Sequence, residues 1–143
     1  MKFFTILSTV LVFAVFALPQ PEELSSQVKR ADVIVFADIK QTGISEISAG
    51  MVSVNLKAEV IRVYKSRTPI KVKFNLAFMT FPEYLGKYLQ NAPEEGKYIL
   101  FLNYVKSGNF PEILALQTPH PYAIREWNPE LENKITSYTE ANQ

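Results

Sequence analysis

His120 is the only histidine in the chain, and there is no cysteine. A zinc site of three or four ligands would therefore have to draw most of them from carboxylates. The setting Pro119-His120-Pro121 is that of a rigid loop, which fits a structural or solvent-exposed histidine rather than a catalytic one. A Ser-His-Asp set could be written with Asp32 or Asp38, but no serine lies in a Gly-x-Ser-x-Gly elbow. Asp32 and Asp38 are six residues apart, so on one strand they share a side at about 20 Å. That is too far for a carboxylate dyad. No phosphate-binding loop, dinucleotide glycine run or calcium loop occurs. The absence of cysteine removes disulfides, thiolate metal sites and thiol nucleophiles. The expectation is a protein that is not an enzyme and holds neither metal nor cofactor.

Binding chemistry has more to work with. Lys57, Arg62, Lys65, Arg67, Lys71 and Lys73 cluster on two strand candidates and the turn between them. Such a face could track an oligonucleotide or oligosaccharide, with Tyr64 as a stacking ring. It also fits the polar outer side of an amphipathic hairpin, charged so that its edge does not aggregate. The second account is preferred, because an exported, nearly neutral chain has no field to draw nucleic acid. The loop Thr118, Pro119, His120, Pro121 and Tyr122 is a second candidate, since its prolines lower the cost of ordering on binding. Lys29-Arg30 offers a dibasic processing site, but two cations are also what a helix C-terminus favours, and that account is preferred.

The elements that would carry these residues follow from composition and pattern. The chain has 143 residues with 48% hydrophobic and 13% aromatic content, enough for one packed domain. There are 15 basic and 14 acidic residues, and Lys2 lies in the first segment, leaving 14 against 14 in the remainder. Met1-Lys2, the uncharged residues 3–16 and Val15-Phe16-Ala17 form the three-part layout of a secretory signal peptide over residues 1–17. The apolar run of 14 residues falls short of the roughly 20 that span a bilayer. Residues 18–143 are expected to form one secreted domain, extracellular or periplasmic according to the host. It is expected to be a monomer without membrane attachment, its partner an unidentified extracellular protein or glycan.

Within that domain a helix is predicted over 21–30, a strand over 32–39 and a polar loop over 41–50. Residues 52–64 alternate apolar and polar until Ile61, where the phase slips by one, the signature of a β-bulge or sharp bend. A turn at 65–69 and a second alternating strand at 70–78 follow. A helix is predicted over 82–91, a central strand over 97–105 and a closing strand over 113–116. Residues 122–124 are expected to pair briefly, and a last helix is capped by Asn128-Pro129. The expected core is Val33, Val35, Val54, Leu56, Val60, Val72, Phe74, Leu100 and Leu102. This is a mainly β chain, and the pattern suits a five-stranded, partly open barrel of the oligonucleotide/oligosaccharide-binding (OB) type with short flanking helices. A β-sandwich usually needs about seven short strands.

Three segments in order resemble the netrin-like barrels, in particular the N-terminal domain of tissue inhibitors of metalloproteinases. Residues 30–37, with Ala31-Asp32 before an apolar run, are similar to that family's first barrel strand. Residues 59–65 resemble its second strand and Tyr-Lys-Gly turn, with Ser66 in place of the glycine. Residues 96–102 resemble its Gly-Lys-x-Tyr-Leu strand, and Pro119-His120-Pro121-Tyr122 sits where the family often has Pro-Trp. The resemblance spans residues 30–125 and implies the barrel and a binding role, with inhibition of an extracellular hydrolase as an alternative. The family's inhibitors chelate the target's zinc through an N-terminal cysteine, and this chain has none.

Overall fold

A computed structural model describes residues 23–48, 50–80, 95–118 and 120–142. The predicted leader and the predicted helix at 82–91 lie outside them. The described elements are helix α1 (Leu24–Arg30), strands β1 (Val33–Ser48), β2 (Met51–Lys65), β3 (Lys73–Thr80), β4 (Gly96–Val105) and β5 (Ile113–Leu116), a 3-10 turn (His120–Ala123), strand β6 (Ile124–Glu126) and helix α2 (Pro129–Ala141). No helix among the described residues is long and apolar enough to cross a membrane.

The strands form one antiparallel sheet in the order β3-β2-β1-β4-β5, with β6 also paired to β4. The sheet is not closed: β3 and β5 come near each other, but no ladder joins them among the described residues. The two sides of the sheet do different work. On the inner side, Val33, Val35, Ala37 and Ile39 of β1 lie level with Leu102, Leu100 and Tyr98 of β4, and Val54, Leu56 and Ala58 of β2 with Phe78, Leu76 and Phe74 of β3. All but Phe74 are buried. On the outer side, Ile34 and Phe36 pair with Phe101 and Ile99 and are roofed by the helices and Trp127, which stacks on Phe36 at 5.2 Å. β1 and β4 are therefore apolar on both sides, as central strands must be.

The phase slip read at Ile61 is a bulge. Ala37 pairs with Val60 and Phe36 with Arg62, so Ile61 has no partner on β1. A second extra residue follows at Tyr64, between the pairs Val35–Val63 and Ile34–Lys65. The bulges raise local twist and turn the end of β2 toward the helices.

Three expectations need correction. The polar loop at 41–50 is strand: β1 runs on to Ser48 and turns through Gly50, at φ +74, into β2. Its polar sequence reflects an exposed arm, where alternation is not enforced by burial. The third strand starts at Lys73 rather than residue 70, and Val72 is 61% exposed. The Val72 carbonyl accepts a hydrogen bond from Val60 N at 2.7 Å, so its backbone is tied while its side chain faces solvent. Val60 and Phe74 are only half-buried, whereas Leu76 and Phe78 are core. The brief pairing expected at 122–124 does occur, displaced by two residues, as the three-residue strand β6 at 124–126.

Candidate functional site

The loop singled out at Thr118 to Tyr122 is bound to α1. Leu24, Gln27 and Val28 occupy one side of that helix, and Gln27 and Val28 are buried. Gln27 is 2% exposed, yet both polar atoms of its amide are hydrogen-bonded. Its Nε2 donates to the Tyr122 carbonyl at 2.7 Å, and its Oε1 accepts from Arg125 Nε at 2.8 Å. Buried Gln117 donates to the Gln27 backbone carbonyl at 3.3 Å, and Arg30 donates to the Thr118 carbonyl at 3.0 Å. His120 and Pro121 lie in the 3-10 turn, and Pro119 lies outside the described residues. The groups that hold this cluster are amides and guanidinia, which position backbone but supply no nucleophile or base. Sequence reasoning missed Gln27, Gln117 and Arg125. The available signal was Gln27 itself, a polar residue on the side of the helix that Leu24 and Val28 mark as buried.

The six basic residues do not form one face. Lys65 donates to the carbonyls of Val28 and Lys29 at 3.0 and 3.3 Å, satisfying the end of α1. Burial lowers its pKa, against the opposing pull of Asp32. Arg67 lies 3.7 Å from Asp32 and 5.5 Å above the Tyr104 ring, whose hydroxyl is hydrogen-bonded to Thr68 at 2.7 Å. Asp32 in turn accepts from Tyr104 N at 3.0 Å, and Asp32 N donates to Asn103 Oδ1 at 3.0 Å. Asp32 is thus a structural tie between the start of β1 and the end of β4. Arg62 pairs with Glu132 of α2, which also accepts from Tyr64 Oη and Trp127 Nε1, each at 2.9 Å. The Tyr64 bond, chiefly, holds the Glu132 carboxyl below its usual range, while burial is the first cause raising the Tyr64 phenol. The ring expected to stack on a base is half-buried and its hydroxyl is committed to α2. Lys57 and Lys73 lie further along β2 and β3, on the outer side of the sheet, where Lys73 is 3.4 Å from Glu59. Lys71 is exposed just before β3.

A third feature was not legible as a site. The β4–β5 hairpin ends in an apolar tip, where Val105 and Ile113 face each other across the strands, 45% and 60% exposed. Phe110 is 74% exposed in the connecting turn. That turn is ordered by Phe110 N donating to the Ser107 carbonyl at 3.1 Å and by Gly108 at φ +57, a conformation glycine adopts without strain. Among the described residues, no group of three or more histidine and carboxylate side chains is placed to hold a metal ion. Comparison of the chain with protein-family models and with curated proteins gives no match.

Proposed function

We propose that the chain is a secreted, non-enzymatic binding module that engages an extracellular protein through the apolar tip of its β4–β5 hairpin. The carrying observation is Phe110, 74% exposed on an ordered turn beside the exposed Val105–Ile113 pair. Apolar side chains grouped on a surface mark contact sites. An aromatic anchor on a preordered turn enters a partner's pocket with little ordering cost. Secretion rests on the layout of residues 1–17. The strand order, with β3 near β5, supports the finer reading of a partly open OB-type barrel of the netrin-like kind.

The inhibitor alternative ranks second. A wedge needs the N-terminal segment and the Thr118–Tyr122 loop free to enter a cleft, whereas residues 24–30 are helical and hydrogen-bonded to that loop. Oligonucleotide binding ranks below both, since Arg62, Lys65 and Arg67 are engaged within the domain.

The test is capture of a partner from the native secretome, followed by titration of that partner with the wild-type chain and with Phe110→Ala and Ile113→Ser. Loss of a buried anchor should weaken binding by about 10-fold or more. Unchanged affinity in both variants sinks the hairpin-tip reading. Blocked activity of a captured hydrolase would favour the inhibitor, and turnover of a small substrate, lost on changing His120 or Asp38, would make the chain an enzyme.

A further inference from the structure

The outer side of the sheet is roofed only as far as Phe36 and Ile99; beyond them its side chains meet solvent in cross-strand rows. The first bare row runs Lys97, Asp38, Glu59, Lys73 across four strands. Its charges balance, two lysines against two carboxylates: Lys73 lies 3.4 Å from Glu59 and Lys97 opposite Asp38, while Asp38 and Glu59 also face each other. The next row is Lys40, Lys57, Asn75. Two ammonium groups directly opposite each other on adjacent strands, whose backbones are about 5 Å apart, repel. Neither lysine forms an ion pair among the described residues. The rows beyond are uncharged: Gly43, Asn55, Ala77, then Ser45, Ser53 and Met79, the last 60% exposed at the sheet edge. Asp38, Lys40, Lys57, Ala58, Glu59 and Lys73 line an open depression of about 160 Å³ between the two charged rows.

We propose that this bare face binds a sulfated polysaccharide, with an anionic group seated over the opposed pair Lys40 and Lys57 and the amides of Asn75 and Asn55 as neutral donors beside it. An anion there converts the unfavourable lysine pair into a favourable contact. The self-neutralised row bounds the site on one side and keeps the polyanion over the lysine row. The next row, Gly43, Asn55 and Ala77, has short side chains that leave room for a sugar chain beside the lysines. A single-stranded nucleic acid would carry the same charge but needs aromatic side chains for its bases, and the rows past Phe36 and Ile99 hold none.

The intact chain is titrated with heparin in about 0.15 M salt, a regime in which isolated surface charges are already screened. Unsulfated dextran and a dT oligonucleotide serve as comparators. Wild type should bind heparin, ignore dextran and bind the oligonucleotide weakly. The double change Lys40→Ala with Lys57→Ala should weaken heparin binding by about 25-fold, taking each lysine against an anionic surface at about fivefold. Its thermal midpoint should not fall, because a repulsion has been removed. The charge-matched control, Lys29→Ala with Lys106→Ala, should stay within about twofold, since both residues lie off this face. Phe110→Ala should leave heparin binding unchanged, which separates this site from the hairpin tip. Equal loss in the charge-matched control, no heparin binding by wild type, or equally tight binding of the oligonucleotide overturns the proposal.

Discussion

Gln27, in the middle of α1, donates its side-chain amide to the backbone carbonyl of Tyr122 at 2.7 Å across 95 residues of sequence. The same amide accepts from Arg125, so one neutral side chain joins the first helix, the 3-10 turn and the last strand. Replacement of Gln27 by alanine or leucine removes two hydrogen bonds made by a buried amide, one to the Tyr122 carbonyl and one from the Arg125 guanidinium. The expected loss is about 1–3 kcal/mol, the net contribution of one neutral and one charge-assisted hydrogen bond. Urea unfolding checks it, and an undiminished midpoint for both variants would show that the cluster is incidental.

Leu100 sits at the centre of the inner side, paired with Val35 on one flank and Ile124 on the other, and is fully buried. Leu100→Ala should cost about 2–5 kcal/mol, the transfer and cavity terms together. Val72→Ala, at a position the alternation marks as core, should change stability by less than about 0.5 kcal/mol, because that side chain faces solvent. The pair of measurements distinguishes the observed packing from the sequence pattern.

That contrast marks how far the sequence could be read. Alternation placed Val54 and Leu56 correctly, and continuous apolar runs placed Val33, Val35, Leu100 and Leu102, because those strands are paired on both sides and burial selects their side chains. The slip at Ile61 coincides with the bulge, although Ile61 and Val63 are themselves 49% and 45% exposed, so burial does not account for their apolar character. Alternation failed at Val72, which precedes its strand, and along 41–50, where an exposed arm of β1 is under no such selection. The helix cap at Asn128 was legible because capping is local; its Oδ1 accepts from Leu131 N at 2.8 Å. The Gln27 cluster, the Glu132 node and the opposed pair Lys40–Lys57 were not, because each depends on residues brought together by register or by helix docking over long separations.

Glu132 gives the fold a pH dependence with a definite sign. Its carboxylate accepts from Tyr64 and Trp127 and pairs with Arg62, and its pKa is lowered in the folded chain. A depressed folded pKa contributes stability that is present above the unfolded value of about 4.3 and is lost as pH falls through the folded value. The Tyr64 phenol is shifted upward, so its contribution is present below the unfolded value of about 10 and lost at higher pH. Stability should therefore hold between these limits and fall on both sides. Glu132→Gln should be less stable than wild type at pH 7 and should show a shallower decline on acidification. Parallel acid limbs for the two proteins would show that other carboxylates set the acid transition.

The bond between Arg30 and Ala31 is a dibasic site in sequence and a protected one in structure. Ala31 is buried, and its N–H donates to the Gln27 carbonyl at 3.1 Å. Lys65 holds the carbonyls of Val28 and Lys29, and Arg30 is anchored to Thr118. A protease must draw several residues around the scissile bond into an extended strand, which here means unwinding α1 and breaking its contacts to β2 and the 118–122 loop. Under native conditions trypsin should spare this bond, and its cleavage rate should track the opening free energy of α1 rather than the protease's affinity for Lys-Arg. Gln27→Ala, which loosens the helix, should accelerate cleavage there relative to wild type, with the product identified by the mass of a fragment beginning at Ala31. Rapid cutting of the wild-type chain after Arg30 at native temperature would show that α1 is undocked in solution, and would restore both the processing site and the free N-terminal wedge.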